Sequence, residues 1–127
     1  MLKKKLGTEA IERDWCENKR LTCCFKISPT LIIPEGCEKI GDYAFKECNI
    51  EEVIIPGSVR IIGVASFEWC YNLKKVVIPK SVEEIREDAF YDCMKATIIL
   101  KKHKKDFKYI DDWAFGYCKY VKKEIRS

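Results

Sequence analysis

The feature that most restricts what this chain can become is a segment of about twenty-two residues that keeps returning. Val76-Val-Ile-Pro-Lys-Ser-Val-Glu-Glu-Ile85 leads to Ala89-Phe90 and Cys93. One copy upstream, Val53-Ile-Ile-Pro-Gly-Ser-Val59 leads to Ile62-Gly63, Phe67 and Cys70. Before it, Leu31-Ile-Ile-Pro-Glu-Gly-Cys37 leads to Ile40-Gly41, Ala44-Phe45 and Cys48. A weaker copy runs from Ile98-Ile-Leu100 to Ile110, Ala114-Phe115 and Cys118. A fixed period of this length marks a stack of like coils, in which no single repeat buries its own apolar face.

Each repeat carries two patterns. The first half alternates, so that Val76 and Ile78 point one way and Val77 the other. Leu31 and Ile33, Val53 and Ile55, and Ile98 and Leu100 are the equivalent inward pairs. β-Branched residues dominate, which favours a strand, and Pro34, Pro56 and Pro79 end it by removing a backbone donor. In the second half, apolar residues fall three to five apart (Val59, Ile62, Ala65 to Phe67, Cys70), which predicts a short helical turn on the opposite side. Gly41 and Gly63 suit the sharp bend into it, although Arg86 and Asp111 fill that slot later. Stacking predicts inward columns, Phe45, Phe67, Phe90 and Phe115 in one and Ile40, Ile62, Ile85 and Ile110 in another.

Residues 1–30 differ from the rest and read as an N-terminal cap, a short helix holding Ala10, Ile11 and Trp15 behind Thr8 as N-cap, then an extended lead-in. Repeats are expected over 31–52, 53–75, 76–97 and 98–118, with 119–127 as a partial final coil. The start, Met1-Leu-Lys-Lys-Lys-Leu6, resembles the basic end of a signal peptide, but the apolar block does not follow. The reading is therefore a cytoplasmic protein if the chain is complete, and a secreted or surface one if a leader was removed. No apolar run approaches the roughly twenty residues needed to cross a bilayer.

The eight cysteines at first suggest a disulfide framework. Register argues otherwise. Cys24, Cys48, Cys70, Cys93 and Cys118 recur at intervals of 24, 22, 23 and 25, and Cys37 aligns with Val59 and Val82. These six have a core explanation as small buried thiols, and a reduced column fits a reducing compartment. Cys16 and Cys23 lack one, and a disulfide between them stays open for a secreted chain. A zinc site from Cys16, Cys23, Cys24 and Cys37 is disfavoured, because no Cys-x2-Cys knuckle is present. No cofactor is called for.

The repeat resembles leucine-rich repeats of the BspA-like type, whose pattern runs apolar-x-Ile-Pro-x-Ser-Val-x-x-Ile-Gly-x-x-Ala-Phe-x-x-Cys-x-x-Leu. The likeness extends over about residues 24–121. The first and fourth copies depart from it by lacking the Leu between Cys and strand in regular register. Lys101 to Lys108 also carries an insertion. The resemblance implies an α/β solenoid, a short right-handed leucine-rich-repeat coil with parallel strands on one face and short helical turns on the other. It also implies a protein-binding or adhesion module of the kind found on the surfaces of bacteria and some protists.

Catalytic chemistry finds little support. The single histidine, His103, lies among four lysines, and no glycine-rich phosphate loop or nucleophile elbow occurs. Adjacent acids such as Glu83 and Glu84 point to opposite faces of an extended chain. The chain therefore reads as a non-enzyme. Two surfaces remain. Outward strand residues form an aliphatic column, Ile32, Ile54, Val77 and Ile99, flanked by Thr30, Glu52, Lys75 and Thr97. An apolar strip with polar edges is the form of a protein-binding surface, and it would also serve self-association or an inhibitor or effector that blocks another protein. The alternative is polyanion or nucleic-acid binding through Lys101, Lys102, His103, Lys104, Lys105 and Lys108. Residues 101–127 carry nine basic groups against four acids. Phe107 and Trp113 fall on or beside core positions, which weakens a base-stacking platform.

Overall fold

The computed structural model describes residues 29–125, so nearly all of the expected cap, with Cys16, Cys23 and Cys24, lies outside the described residues. The described chain winds through nine short strands: β1 (Thr30–Ile32), β2 (Lys39–Ile40), β3 (Glu52–Ile54), β4 (Ile61–Ile62), β5 (Lys75–Ile78), β6 (Glu84–Ile85), β7 (Thr97–Leu100), β8 (Tyr109–Ile110) and β9 (Tyr120–Lys123). Odd-numbered strands form one parallel sheet in the order β1-β3-β5-β7-β9, and even-numbered strands a second, β2-β4-β6-β8. Register follows the repeat. Leu31 pairs with Val53, Val53 with Val76, Val76 with Ile98 and Ile98 with Val121. Ile40, Ile62, Ile85 and Ile110 pair in turn in the second sheet.

The helical turns predicted for the second half are not formed. Among the described residues the only helical element is one 3-10 turn, Lys104–Asp106, and it belongs to the insertion. In their place stand the second sheet and a run of tight turns over 42–47, 64–69, 87–92 and 112–117. The backbone shows why. Within each run the N–H groups alternate between local and inter-coil partners. Ala44 and Cys48 bond three residues back, to Gly41 and Phe45, while Tyr43, Phe45 and Glu47 reach Val64, Ser66 and Glu68 of the next coil at 2.8 Å. An α-helix would turn all of these inward on itself. The alternation instead needs left-handed residues, found at Tyr43, Glu47, Ala65, Trp69, Asp88, Asp92 and Tyr117 with φ between 52° and 62°. Such a conformation costs roughly 1–2 kcal/mol per non-glycine residue. The inter-coil bonds offset that strain and give the solenoid a third hydrogen-bonded side.

Side chains directed inward meet as columns. Phe45, Phe67 and Phe90 are fully buried, and successive rings from Phe45 to Phe115 stack at centroid separations of 5.5, 5.0 and 5.8 Å. Ile40, Ile62 and Ile85 are likewise enclosed. Burial of each such side chain is worth about 1.5–3 kcal/mol. Ile110, Phe115 and Cys118 are only partly buried, because β9 extends one sheet beyond the fourth coil while β8 ends the other. Gly63 is required by close approach, since a Cβ there would sit 2.6 Å from the Ile40 carbonyl oxygen.

The cysteine column does more than fill space. The thiols of Cys70, Cys93 and Cys118 donate to the carbonyl oxygens of Phe45, Phe67 and Phe90 in the preceding coil, at 3.2, 3.1 and 3.2 Å. Cys70, Cys93 and Cys118 are free thiols. Cys48 departs from the expected reduced column, for it is disulfide-bonded. The Cys118 contact acts to lower the Cys93 pKa, but Cys70 and burial outweigh it and hold this thiol above its ordinary value of 9.0. Cys118 is held up by Cys93 and then by burial.

Three stability outcomes follow from this packing. Phe67→Ala, which opens a cavity in the middle of the stack, should lower unfolding free energy by about 3–5 kcal/mol in urea melts. Ser66 is the reverse case. Its hydroxyl is buried without a hydrogen-bond partner, whereas the equivalent positions are Ala44, Ala89 and Ala114. Ser66→Ala should therefore raise stability by about 1 kcal/mol. For Cys93, both states hold the thiol proton below pH 9, whereas above it the unfolded chain loses the proton first and the folded state weakens. The destabilisation caused by Cys93→Ala at pH 8 should accordingly shrink above pH 9, by at most about 1.4 kcal/mol per pH unit.

Candidate protein-binding surface

The outer face of the five-stranded sheet is built from the strand residues that alternate with the core. Thr30, Glu52, Lys75, Thr97 and Tyr120 stand in register as one row, and Ile32 with Ile54, then Val77 with Ile99 and Lys122, as the next. Neighbours in a row lie one strand spacing apart, about 4.8 Å. The polar row alternates Glu52 and Lys75 between threonines and ends on exposed Tyr120. The aliphatic row is uneven. Ile54 is 46% exposed, Ile32 and Val77 are half-buried, and Ile99 is 5% exposed. Ile99 thus does not present the open side chain that alternation predicts. It sits inside a four-residue strand paired along its whole length to β5 and β9, whereas Ile54 is the last residue of a three-residue strand. The apolar strip that remains is Ile32, Ile54 and Val77.

The basic run occupies the insertion after β7. Nine residues separate Leu31 from Ile40, Val53 from Ile62 and Val76 from Ile85, against twelve from Ile98 to Ile110. Phe107 turns into the core and anchors the loop. Its ring carries the Lys102 ammonium at 4.5 Å. Lys101 pairs with Glu124 at 3.6 Å, and Lys108 with Glu83 at 3.2 Å. Glu83 also binds Arg60 at 3.1 Å, and the Lys108 hydrogen bond holds its carboxyl below the usual range. His103, Lys104 and Lys105 are exposed. An open groove of about 550 Å³ runs beside the loop, and its charges nearly balance, with Arg60, Lys80, Lys102 and Lys108 facing Glu38, Glu83 and Asp106. Phosphate recognition needs convergent, uncompensated donors, and half of this run is already engaged. The arrangement gives the polyanion reading no support.

Among the described residues, no three His, Cys, Asp or Glu side chains are grouped to hold a metal ion. No described helix is long and apolar enough to cross a membrane.

One surface escaped the sequence reading. Trp113 does not lie at a core position but is 57% exposed, and with Tyr91 and Tyr117 it forms an aromatic cluster on the turn side. Tyr43, Trp69 and Tyr71 occupy the same side in earlier coils. Aligning the turns would have shown these rings outside the inward slots held by Ala44, Phe45 and Cys48.

Comparison with known proteins agrees with the coil. The profile described as a BspA type leucine rich repeat region matches residues 21–123 in six copies. The crystal structure of a leucine rich cell surface protein from Faecalibacterium prausnitzii A2-165 is similar in fold, with a TM-score of 0.55 and 22% identity over 79% of this chain and 33% of that one. The chain thus spans about a third of that protein's length. No curated protein matches it. With four-coil register, parallel sheets and a repeat profile covering most of its length, the chain belongs to the BspA-type leucine-rich repeat family.

Proposed function

We propose that this chain is a non-enzymatic protein-binding module that docks its partner on the outer face of the five-stranded sheet. The observation that carries the reading is the exposed Ile54 between Ile32 and Val77, bordered in register by Thr30, Glu52, Lys75 and Thr97. A patch of aliphatic side chains with a charged rim matches the anatomy of an interface centre and edge. Its rigidity lowers the ordering penalty on binding, because every strand is held on the sheet by its neighbours. An adhesin-like role fits the similar fold of a cell surface protein, and an inhibitor or effector that covers another protein's surface would use the same face.

Ile54→Glu and Val77→Glu test this directly. Both should fold, by circular dichroism, since Ile54 is exposed and Val77 half-buried. A host protein retained by immobilised wild type and by Arg60→Glu, in the groove beside the insertion, should bind Ile54→Glu at least tenfold more weakly. Equal retention by a folded Ile54→Glu variant would remove the sheet face from the interface.

A further inference from the structure

The turn side carries an unused pattern. In the first two coils Lys46 lies over the ring of Trp69 at 4.7 Å and over that of Tyr43 at 5.6 Å, while its ammonium pairs with Glu68 at 3.4 Å. The chain thereby shows how a primary ammonium is received on this surface, by ring faces with a carboxylate behind them. The last two coils gather three rings with no cation among them, and Tyr91 itself stands where Lys46 does in the first coil and Glu68 in the second. Tyr91 meets Trp113 edge-on at 6.3 Å and Tyr117 edge-on at 5.6 Å, and Trp113 lies 6.5 Å from Tyr117. Where Lys46 stands in the first coil, the fourth has Gly116, as the ladder bonds from Glu68 and Tyr91 positions show. A Cβ on Gly116 would lie 2.8 Å from Tyr91 and 2.9 Å from Trp113, so the absence of a side chain lets both rings close over the backbone. Among the described residues no lysine or arginine covers this cluster.

The charge of these turns suits a cation on the outer faces of the rings. The turn runs 87–92 and 112–117 contain four acids, Glu87, Asp88, Asp92 and Asp112, and no lysine or arginine, the nearest basic residues in sequence being Arg86, Lys95, Lys108 and Lys119. The surrounding potential is felt by Tyr91, whose hydroxyl is pushed upward by burial first and then by Tyr117, Asp92, Asp88 and Glu68. Trp113 and Tyr117, at 57% and 66% exposure, leave their outer faces open to solvent.

The geometry points to a second binding surface on the turn side, Tyr91, Trp113 and Tyr117 with Asp88 and Asp92, that receives a lysine or arginine side chain of a partner protein. It stands apart from the sheet face, since it shares no residue with it. An exposed cation–aromatic contact is weak alone, about 0.5–1 kcal/mol. Several rings and carboxylates acting together favour a basic segment over an isolated side chain.

The test uses the whole chain and a fluorescent peptide of alternating glycine and lysine, with norleucine and glutamate versions of equal length as comparators. The lysine peptide should bind by anisotropy, the norleucine peptide at least tenfold more weakly, and the glutamate peptide not at all. Trp113→Leu with Tyr117→Leu should weaken lysine-peptide binding at least fivefold, while Trp113→Phe with Tyr117→Phe should retain it. The leucine pair keeps apolar cover on Gly116 and so guards against simple unfolding. Ile54→Glu should leave the lysine peptide's affinity unchanged, which separates this surface from the sheet face. Undiminished binding by the leucine pair, or equal binding of norleucine and lysine peptides, would overturn the assignment. Loss only on Asp92→Asn with Asp88→Asn, the rings being dispensable, would reduce the effect to unspecific charge attraction and overturn it equally.

Discussion

Backbone hydrogen bonds from one coil to the next, on three sides of each turn, are the constraint from which the rest of the structure follows. Two of those sides are ordinary parallel ladders. The third is a ladder of turns in which every second N–H reaches across to the following coil. Bonding of this kind obliges each coil to trace the path of the one below, and so places like side chain over like side chain. The stacked phenylalanines follow from that registry, and in turn keep water from the ladders they sit between. Removing either would leave the other without support, since a buried amide needs its partner and a single repeat cannot bury its phenylalanine alone.

The same registry decides what the surface can offer. Outward residues also align one per coil, so recognition surfaces come as rows rather than as pockets. A row is informative where it departs from uniformity. Inward rows vary little: Phe at every turn, Ile at every second-sheet position, and, after the disulfide-bonded Cys48, Cys with its thiol on the preceding phenylalanine carbonyl. Outward rows vary freely, from Glu52 to Lys75 to Tyr120 on the sheet and from Lys46 to Glu68 to Tyr91 on the turns. A solenoid built this way largely separates the residues that hold it together from those on its surface, because the two sets take alternating positions, Ile99 being an outward residue that its neighbours cover.

Much of the coil could be read from the chain. The inward columns, the strand register and the apolar slot of Cys37 all come from counting along the repeat, since period and burial share one cause. The second half of each repeat was less legible. Ala44, Phe45 and Cys48 fit one face of a helix, and they fit equally the inward positions of a turn ladder. Spacing of apolar residues does not separate the two; the hydrogen-bond alternation and the left-handed residues do, and neither has a strong sequence mark when Tyr, Glu, Trp and Asp hold those positions instead of glycine. Ile99 was misread for a related reason: alternation gives the face on which a side chain lies but not how far its neighbours cover it. The thiol hydrogen bonds were invisible because cysteine as a small apolar filler already explained its place.

The charged insertion shows how a local interruption is absorbed without breaking the stack. Its added residues leave β7 and β8 in register with the coil before, because Phe107 is drawn into the core and the extra length is taken up in a single 3-10 turn. Once the loop is pinned at Phe107, its lysines fall within reach of fixed neighbours. Lys108 then neutralises Glu83, Lys101 joins Glu124 and Lys102 covers the anchoring ring. A run that looks in sequence like an unshielded positive patch is therefore half consumed by the act of fitting it to the solenoid. Net charge along a segment measures binding potential only after such internal pairing is subtracted, and here the subtraction leaves the exposed His103, Lys104 and Lys105 of the six basic residues in the run.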